Sequence, residues 1–462
     1  MSLMQQLSAD IQSHVDVIDR YLTKHKLPQP TFESDSPTGL PEHAEVQRAR
    51  LLLIEQASAL ANLATGSADH LRWHMMNAKF DDMALHFLAE YNIFDAVPRH
   101  GKISYAELSA KVGLGEHRLR RVLAMAYTQR YFQEPEPGFV SHTSNSAIGI
   151  ADPLARGWIL HNVDEVQPWY TNKIVAATRK WGDTTDPYHV GPNLYVKPGE
   201  EKTFYQFFEE DDQGEWNGVK GKGFRLWRLY DTDTFFQTGG AIRGTNLLKA
   251  FDWKGLGKAT VVDIAGITGF LASRVALACP DLTFIVQMRN QPWYEKKFYE
   301  QLAPELHSRF RYMPHDNYDE QPVKGAELYF MATVLHKEPD EKAIAILRRT
   351  VAAMDPKKSR ILTRDIIMDG GDPTPEEAPY ANVVANGHGG KSGHLPGLGP
   401  TGALTRLNIG IDFQVCSVMN AFERNREEWI ALFKKADPRL TLKGCYQAIG
   451  DCASLMEWAL EE

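Results

Sequence analysis

Two hydrophobic periods divide this chain. Up to about residue 250, apolar residues recur at three and four, the spacing of helices that bury one face. Residues 1–26 predict one amphipathic helix, and the stretch PQPTFESDSPTGLPEH after it reads as a linker. The segment 43–65 predicts a second helix and 74–98 a third. A short helix over Tyr105–Val112, a Gly-Leu-Gly turn, a further helix and a polar hairpin then give a winged-helix outline. Residues 150–250 read as helical and rich in aromatics, with Trp158, Trp169, Trp181, Trp216 and Trp227 either filling a core or walling a pocket for a large, flat or greasy ligand.

From residue 258 the period changes. ATVVDIA, LTFIVQM, FRYMP, AELYFMATVL and SRILTRDIIM are apolar runs of strand length, separated by helix-like stretches such as GFLASRVALA and DEKAIAILRRTVAAM. Strands that alternate with helices predict an α/β fold with a doubly wound, Rossmann-like parallel sheet, which binds ligands beyond the carboxyl ends of its strands. The expected organisation is a helical and winged-helix domain over 1–150, an aromatic-rich pocket segment over 151–250 and the α/β domain over 251–462. The glycine- and proline-rich stretch 370–404 has no period and predicts a lid or a disordered insertion.

Composition narrows the function. The formal net charge of −8 over 462 residues opposes nucleic-acid binding, which needs a basic face. Arg118, Arg120 and Arg121 on the second helix of the winged-helix outline therefore read as a solvated face of a protein–protein module, against the alternative of a DNA-binding regulator. No secretory signal and no apolar run long enough to span a membrane is visible. Cys279, Cys416, Cys445 and Cys452 form no CxxC pair, so reduced thiols in a cytoplasmic protein without a metal site are expected.

The stretches VVDIAGITG, HDNYDEQPVKGAELYFMATVLHKEPDEKAIAILRR, RILTRDIIMD and DFQVCSVMNAFERNREEWIALFKKADPRL carry a resemblance to the fungal and plant small-molecule O-methyltransferases, from about residue 45 onward. The resemblance implies a homodimer, an S-adenosylmethionine loop at the first stretch, a catalytic base at His336 and a partner for it at Glu423. Three departures stand out. Ala265 and Ile267 replace loop glycines, where a Cβ would meet the ligand or force a disfavoured backbone. Met288 and Arg289 stand where an acid would take the ribose hydroxyls, and Lys337 follows His336 where aspartate is usual. Asp263, Gly269 and Asp316 remain as remnants of the cofactor site, so cofactor binding is expected to be weak or lost and no cofactor to be required.

A methyltransferase frame altered in this way is similar to the O-methyltransferase-like pericyclases of fungal pyridone alkaloid biosynthesis. These dehydrate a 4-hydroxy-2-pyridone alcohol to a quinone methide and steer its Alder-ene or hetero-Diels–Alder cyclisation. The resemblance implies that His161, His336 and Lys337 face the substrate, with Thr232 a weaker candidate. A lysine ammonium that donates to the pyridone carbonyl would favour a polarised transition state over the ground state, and His336 could exchange a proton near neutral pH. Each has a plainer reading: a solvated lysine, a structural histidine paired with Glu423, a satisfied core histidine at 161 and a helix cap at Thr232. Phe413, Cys416 and Asn420 lie three and four apart on one face of a predicted helix and are expected to shape the cavity. The competing function is a working S-adenosylmethionine-dependent O-methyltransferase acting on a phenolic or polyketide product.

Overall fold

The computed structural model describes residues 1–239, 246–368, 403–447 and 450–461. The glycine-rich stretch 370–404 falls outside the described residues except for its last two, which open the helix Ala403–Met419. The chain divides into two compact units, Met1–Pro168 with Asp231–Phe235, and Trp169–Tyr230 with Phe236–Glu462.

The first unit is helical. Leu3–His25 starts at a capping box in which Ser2 and Gln5 satisfy each other's backbone N–H groups. Ala44–Thr65 follows, and the third helix spans Ser67–Glu90. That helix starts earlier than the periodicity over 74–98 suggests and stops short, because Asn92 turns left-handed at φ 52° and restarts the chain as the single turn Ile93–Ala96. The winged-helix outline holds. Tyr105–Val112 is capped by Ser104 and Glu107, and it is ended by the left-handed Gly113 before Glu116–Thr128. Its small sheet pairs Ile103–Ser104 with Phe139–Val140, so the strand returns to the start of the motif. Leu88, Ile93, Leu108, Leu119, Leu123 and Phe132 form the core of this unit. Arg120 is spent locally, paired with Glu116 at 2.7 Å and lying 3.8 Å above the Tyr105 ring, and Arg121 rests against His117. Further on, Ala155–Leu160 runs directly into a π-helix over His161–Val166.

The second unit is built on a seven-stranded sheet. Its strands are β1 (Ala259–Ile264), β2 (Leu282–Met288), β3 (Phe310–Pro314), β4 (Leu328–Ala332), β5 (Arg360–Ile366), β6 (Leu440–Tyr446) and β7 (Ala453–Leu460). The spatial order is β6-β7-β5-β4-β1-β2-β3. β1 to β5 are mutually parallel, and β7 runs antiparallel to both β5 and β6. The five apolar runs of the sequence are the five parallel strands, so the α/β doubly wound fold stands. β6 and β7 lie outside the five apolar runs and add an antiparallel pair at the β5 edge. Chain order reverses at β1: β2 and β3 extend to one side, β4 and β5 to the other. A ligand crevice is therefore expected outside the carboxyl ends of β1 and β4. Val262, Tyr329, Met331, Ile346, Leu347, Trp429 and Trp458 pack one face of the sheet.

Candidate functional site

The loop after β1 keeps a glycine backbone without the glycines. Ala265 has φ 53° and Ile267 φ 49°, both left-handed. An L-residue costs about 1–2 kcal/mol there, and a β-branched one is a genuine outlier. Three contacts hold the loop in this shape. Gly266 N–H donates to Gln287 O at 3.2 Å, Gly269 N–H to Gly266 O at 2.8 Å, and the Tyr294 hydroxyl donates to Ile267 O. Tyr294 is buried, stacked on Tyr312 and edge-on to Tyr230 and Trp227, so the loop rests on a rigid aromatic floor. Gly266 and Gly269 remain for packing reasons: a Cβ at 266 would lie 2.3 Å from the Asp263 carboxylate, and one at 269 would lie 2.7 Å from the Phe298 ring. Burial pushes Asp263 up to about 7.

The turn after β4 is the second left-handed point. Thr333, at φ 52°, carries the chain off the strand into the 3-10 turn Leu335–Lys337. Strained non-glycine backbone at two adjacent strand ends of a switch point is a mark of a functional rim. The turn buries His336, whose Nδ1–H donates to Glu423 Oε1 at 2.5 Å. Its other nitrogen, Nε2, has no hydrogen-bond partner among the described residues, nor has Glu423 Oε2. Glu423 is itself positioned by its backbone N–H, which donates to Asp412 Oδ1 at 2.8 Å. Lys337 follows, half-buried, at the end of the same turn.

Two residues complete this site that sequence reasoning missed. Arg424 is buried and clamps the turn, donating to Leu335 O at 3.0 Å, to Glu338 O at 2.8 Å and to Asp340 Oδ1. Its place beside Glu423 was the only signal available. Asp365, at the end of β5, is fully buried, and neither carboxylate oxygen has a hydrogen-bond partner among the described residues. Burial pushes it up to about 7, while the charges of His336, Arg424 and Lys337 pull it down and Glu423 pushes it up. In RILTRDIIM it looked like one polar residue at a strand end.

At the end of β2, Met288 is buried, and the next residue, Arg289, pairs with Glu209 at 2.9 Å, its guanidinium 5.2 Å from the Tyr205 ring centroid. Burial pushes Glu209 up against the pull of Arg289. Burial likewise pushes Glu338 up against its hydrogen bond with Tyr318 and the charges of Lys342, Lys337 and Arg289. Asp316 turns inward on its own loop, accepting from Tyr318 N–H at 2.9 Å. In the helix Ala403–Met419, Phe413 is 61% exposed and Cys416 half-buried. Asn420 is the left-handed residue just past that helix, and its amide donates to Asp186 O at 2.6 Å and His189 O at 3.1 Å. The second unit thus brings His336, Lys337, Glu423 and Asp365 into one cluster.

His161 and Thr232 belong to the first unit. His161 is buried and pairs through Nδ1 with Glu165 Oε2 at 2.7 Å. Thr232 is buried within the helix Phe224–Thr238, so it is no cap, and its hydroxyl has no hydrogen-bond partner among the described residues. Among the described residues there is no cluster of three or more His, Cys, Asp or Glu that could hold a metal ion, and no helix long and apolar enough to cross a membrane. The four cysteines are free thiols.

Residues 230–392 match the O-methyltransferase domain and residues 73–150 the O-methyltransferase dimerisation domain. The O-methyltransferase fsr2 of Gibberella fujikuroi is 31% identical over 379 residues, covering 81% of this chain and 87% of the relative. The O-methyltransferase bik3 of the same species is 27% identical over 475 residues, covering 100% and 93%. Among solved structures, OxaC in complex with SAH and oxaline is similar with a TM-score of 0.70 at 20% identity, over 100% of both chains. A structure described as a pericyclic reaction enzyme is similar with a TM-score of 0.69 at 20% identity, over 89% of this chain and 94% of that one. At such identity the two structures share the fold with this chain.

Proposed function

The chain belongs to the O-methyltransferase family, and from that premise we propose that it is a pericyclase of fungal secondary metabolism, acting on a 4-hydroxy-2-pyridone alcohol. The observation that carries this reading is a contrast at one switch point. The loop after β1 has filled its glycine positions, while the turn after β4 keeps the His336–Glu423 pair and adds Lys337.

The residues at the loop do not fit S-adenosylmethionine. Ala265 and Ile267 stand in the φ range that glycine serves without cost, with Ala265 packed against the core, and no loop glycine remains at either position for a close backbone approach. Met288 supplies no acceptor for ribose hydroxyls, and Arg289 is tied to Glu209. No step is assigned to the cofactor, and its binding is proposed to be weak or lost.

In the proposed reaction His336 exchanges the proton that dehydration requires. Glu423 holds Nδ1–H, which leaves Nε2 as the reacting nitrogen and stabilises the imidazolium when it forms. Lys337 donates to the pyridone carbonyl as electron density shifts there in the cyclisation. A charged hydrogen bond of ~1.5–3 kcal/mol is roughly ten- to a hundredfold in rate. His161 and Thr232 are proposed as substrate-facing on the resemblance. Phe413 and Cys416 are proposed to shape the cavity. The dimerisation-domain match supports a homodimer, as do Leu71, Trp73, Met75, Met76 and Phe80, all exposed on the helix Ser67–Glu90.

Incubation with a pyridone alcohol, with products resolved by mass and chirality, tests the reading. A single cyclised stereoisomer, formed without added cofactor, is expected. Tight S-adenosylmethionine binding by calorimetry together with methylation of a phenol would replace it with the second reading, a working O-methyltransferase, which the relatives' names and the retained His336–Glu423 pair favour.

A further inference from the structure

Outside the cluster just described, the first unit contains a second buried imidazole–carboxylate pair. His161 and Glu165 have side chains only 3% and 2% exposed, and they meet through Nδ1 and Oε2 at 2.7 Å. They are four apart on a π-helix that interrupts a run of α-helix. Such turns are rare, and they gather at functional sites because they re-aim side chains at the expense of regular hydrogen bonding. The surrounding chain is anchored elsewhere: Asn162 to Trp158 O at 2.8 Å, Arg156 to Ala89 O at 2.8 Å and Gln167 to Asp82 at 2.8 Å.

A carboxylate this deeply buried is costly unless it accepts a strong hydrogen bond. The carboxylate can only accept, so the proton lies on Nδ1, and Nε2 becomes the nitrogen that exchanges protons. This is the arrangement that Glu423 imposes on His336. We propose that Glu165 is a positioning residue for His161, fixing its tautomer and ring orientation so that His161–Glu165 serves as a second proton-handling pair. The proposal rests on the reading of His161 as substrate-facing. Glu165 touches no substrate and acts through the imidazole.

Glu165→Gln retains the size and an acceptor oxygen while removing the charge. It is expected to lower kcat on a pyridone alcohol at least tenfold, with KM changed less than twofold. Glu165→Asp, which keeps the carboxylate, is expected to restore part of that loss. His161→Gln runs in parallel. Unchanged kcat in Glu165→Gln, alongside lost turnover in His161→Gln, overturns the positioning role. Unchanged turnover in both variants overturns the reading of His161, and the proposal with it. A readout independent of activity is ¹⁵N NMR of histidine-labelled protein, with the His161 signals assigned by difference from His161→Gln. A folded wild type with His161 protonated at Nδ1, shifting toward the other tautomer in Glu165→Gln, is expected. Protonation of wild-type His161 at Nε2 alone overturns the proposal.

Discussion

Two His–Glu pairs with the same chemistry are made in opposite ways. His161 and Glu165 are neighbours on one helical turn, whereas His336 and Glu423 lie 87 residues apart and meet only because a strand-end turn and the segment after the helix Ala403–Met419 converge. The local pair depends on a few residues keeping one helical register. The distant pair depends on the sheet, on Arg424 clamping the turn and on Asp412 holding the Glu423 backbone. Distance along the chain therefore decides how many other contacts such a pair needs, and how many substitutions can disturb it.

The largest effect that would sharpen this contrast is expected from His336→Gln. It should lower dehydration of a pyridone alcohol roughly 10²–10⁴-fold, as loss of a general acid–base group does, with the thermal midpoint close to wild type. A loss no larger than that of a surface substitution would reduce this pair to a structural relic. Next is Lys337→Met, expected to slow cyclisation about ten- to a hundredfold without altering the circular dichroism spectrum. Unchanged turnover would remove Lys337 from the mechanism.

Arg424→Met tests the dependence on distant contacts. It leaves two backbone carbonyls and the turn without their clamp, and a stability loss of about 2–3 kcal/mol is expected in urea titrations. No single substitution around the local pair should loosen His336 in this way. Ile267→Gly is expected to change stability by about 1 kcal/mol or less. Relief of left-handed strain, about 1–2 kcal/mol, is largely offset by the extra freedom of glycine in the unfolded chain, about 0.5–1 kcal/mol. A large destabilisation would mean that the side chain packs as core.

A further expected effect is pH-dependent. The Asp365 carboxyl is raised to about 7 in the folded protein, against about 3.9 unfolded. Folding is then favoured with the group protonated, and this part of the stability is lost as pH rises from about 4 through 7. Asp365→Asn removes this contribution and leaves that of Asp263, so its melting temperature should exceed that of wild type more at pH 8 than at pH 5. An equal difference at both values would mean that the buried carboxyl does not titrate in this range.

Several features could be read before any fold was known. The alternation of apolar strands and helices gave the sheet, and Tyr105–Val112 with its glycine turn gave the winged-helix outline. Ala265, Ile267 and Met288 were visible as departures because each is a change of residue type at a fixed place in a motif. Asp365 and Arg424 were not, because a single polar residue at a strand end and an arginine beside a glutamate look like any surface charge until the neighbouring elements close over them. Asn420 was read for its helical spacing, and packing uses its amide to tie two backbone carbonyls.

By itself the sequence determined which elements form and which residue types stand at the strand ends, because periodicity, caps and glycine positions act over a few residues. It also contained the His161–Glu165 pair, whose partners are one helical turn apart. Only the tertiary structure decided that His336, Glu423 and Asp365 are buried together beside the half-buried Lys337, and that Ala265 and Ile267 keep a glycine's backbone. Burial, desolvation and the convergence of distant segments are properties of the packed chain, and no local pattern encodes them.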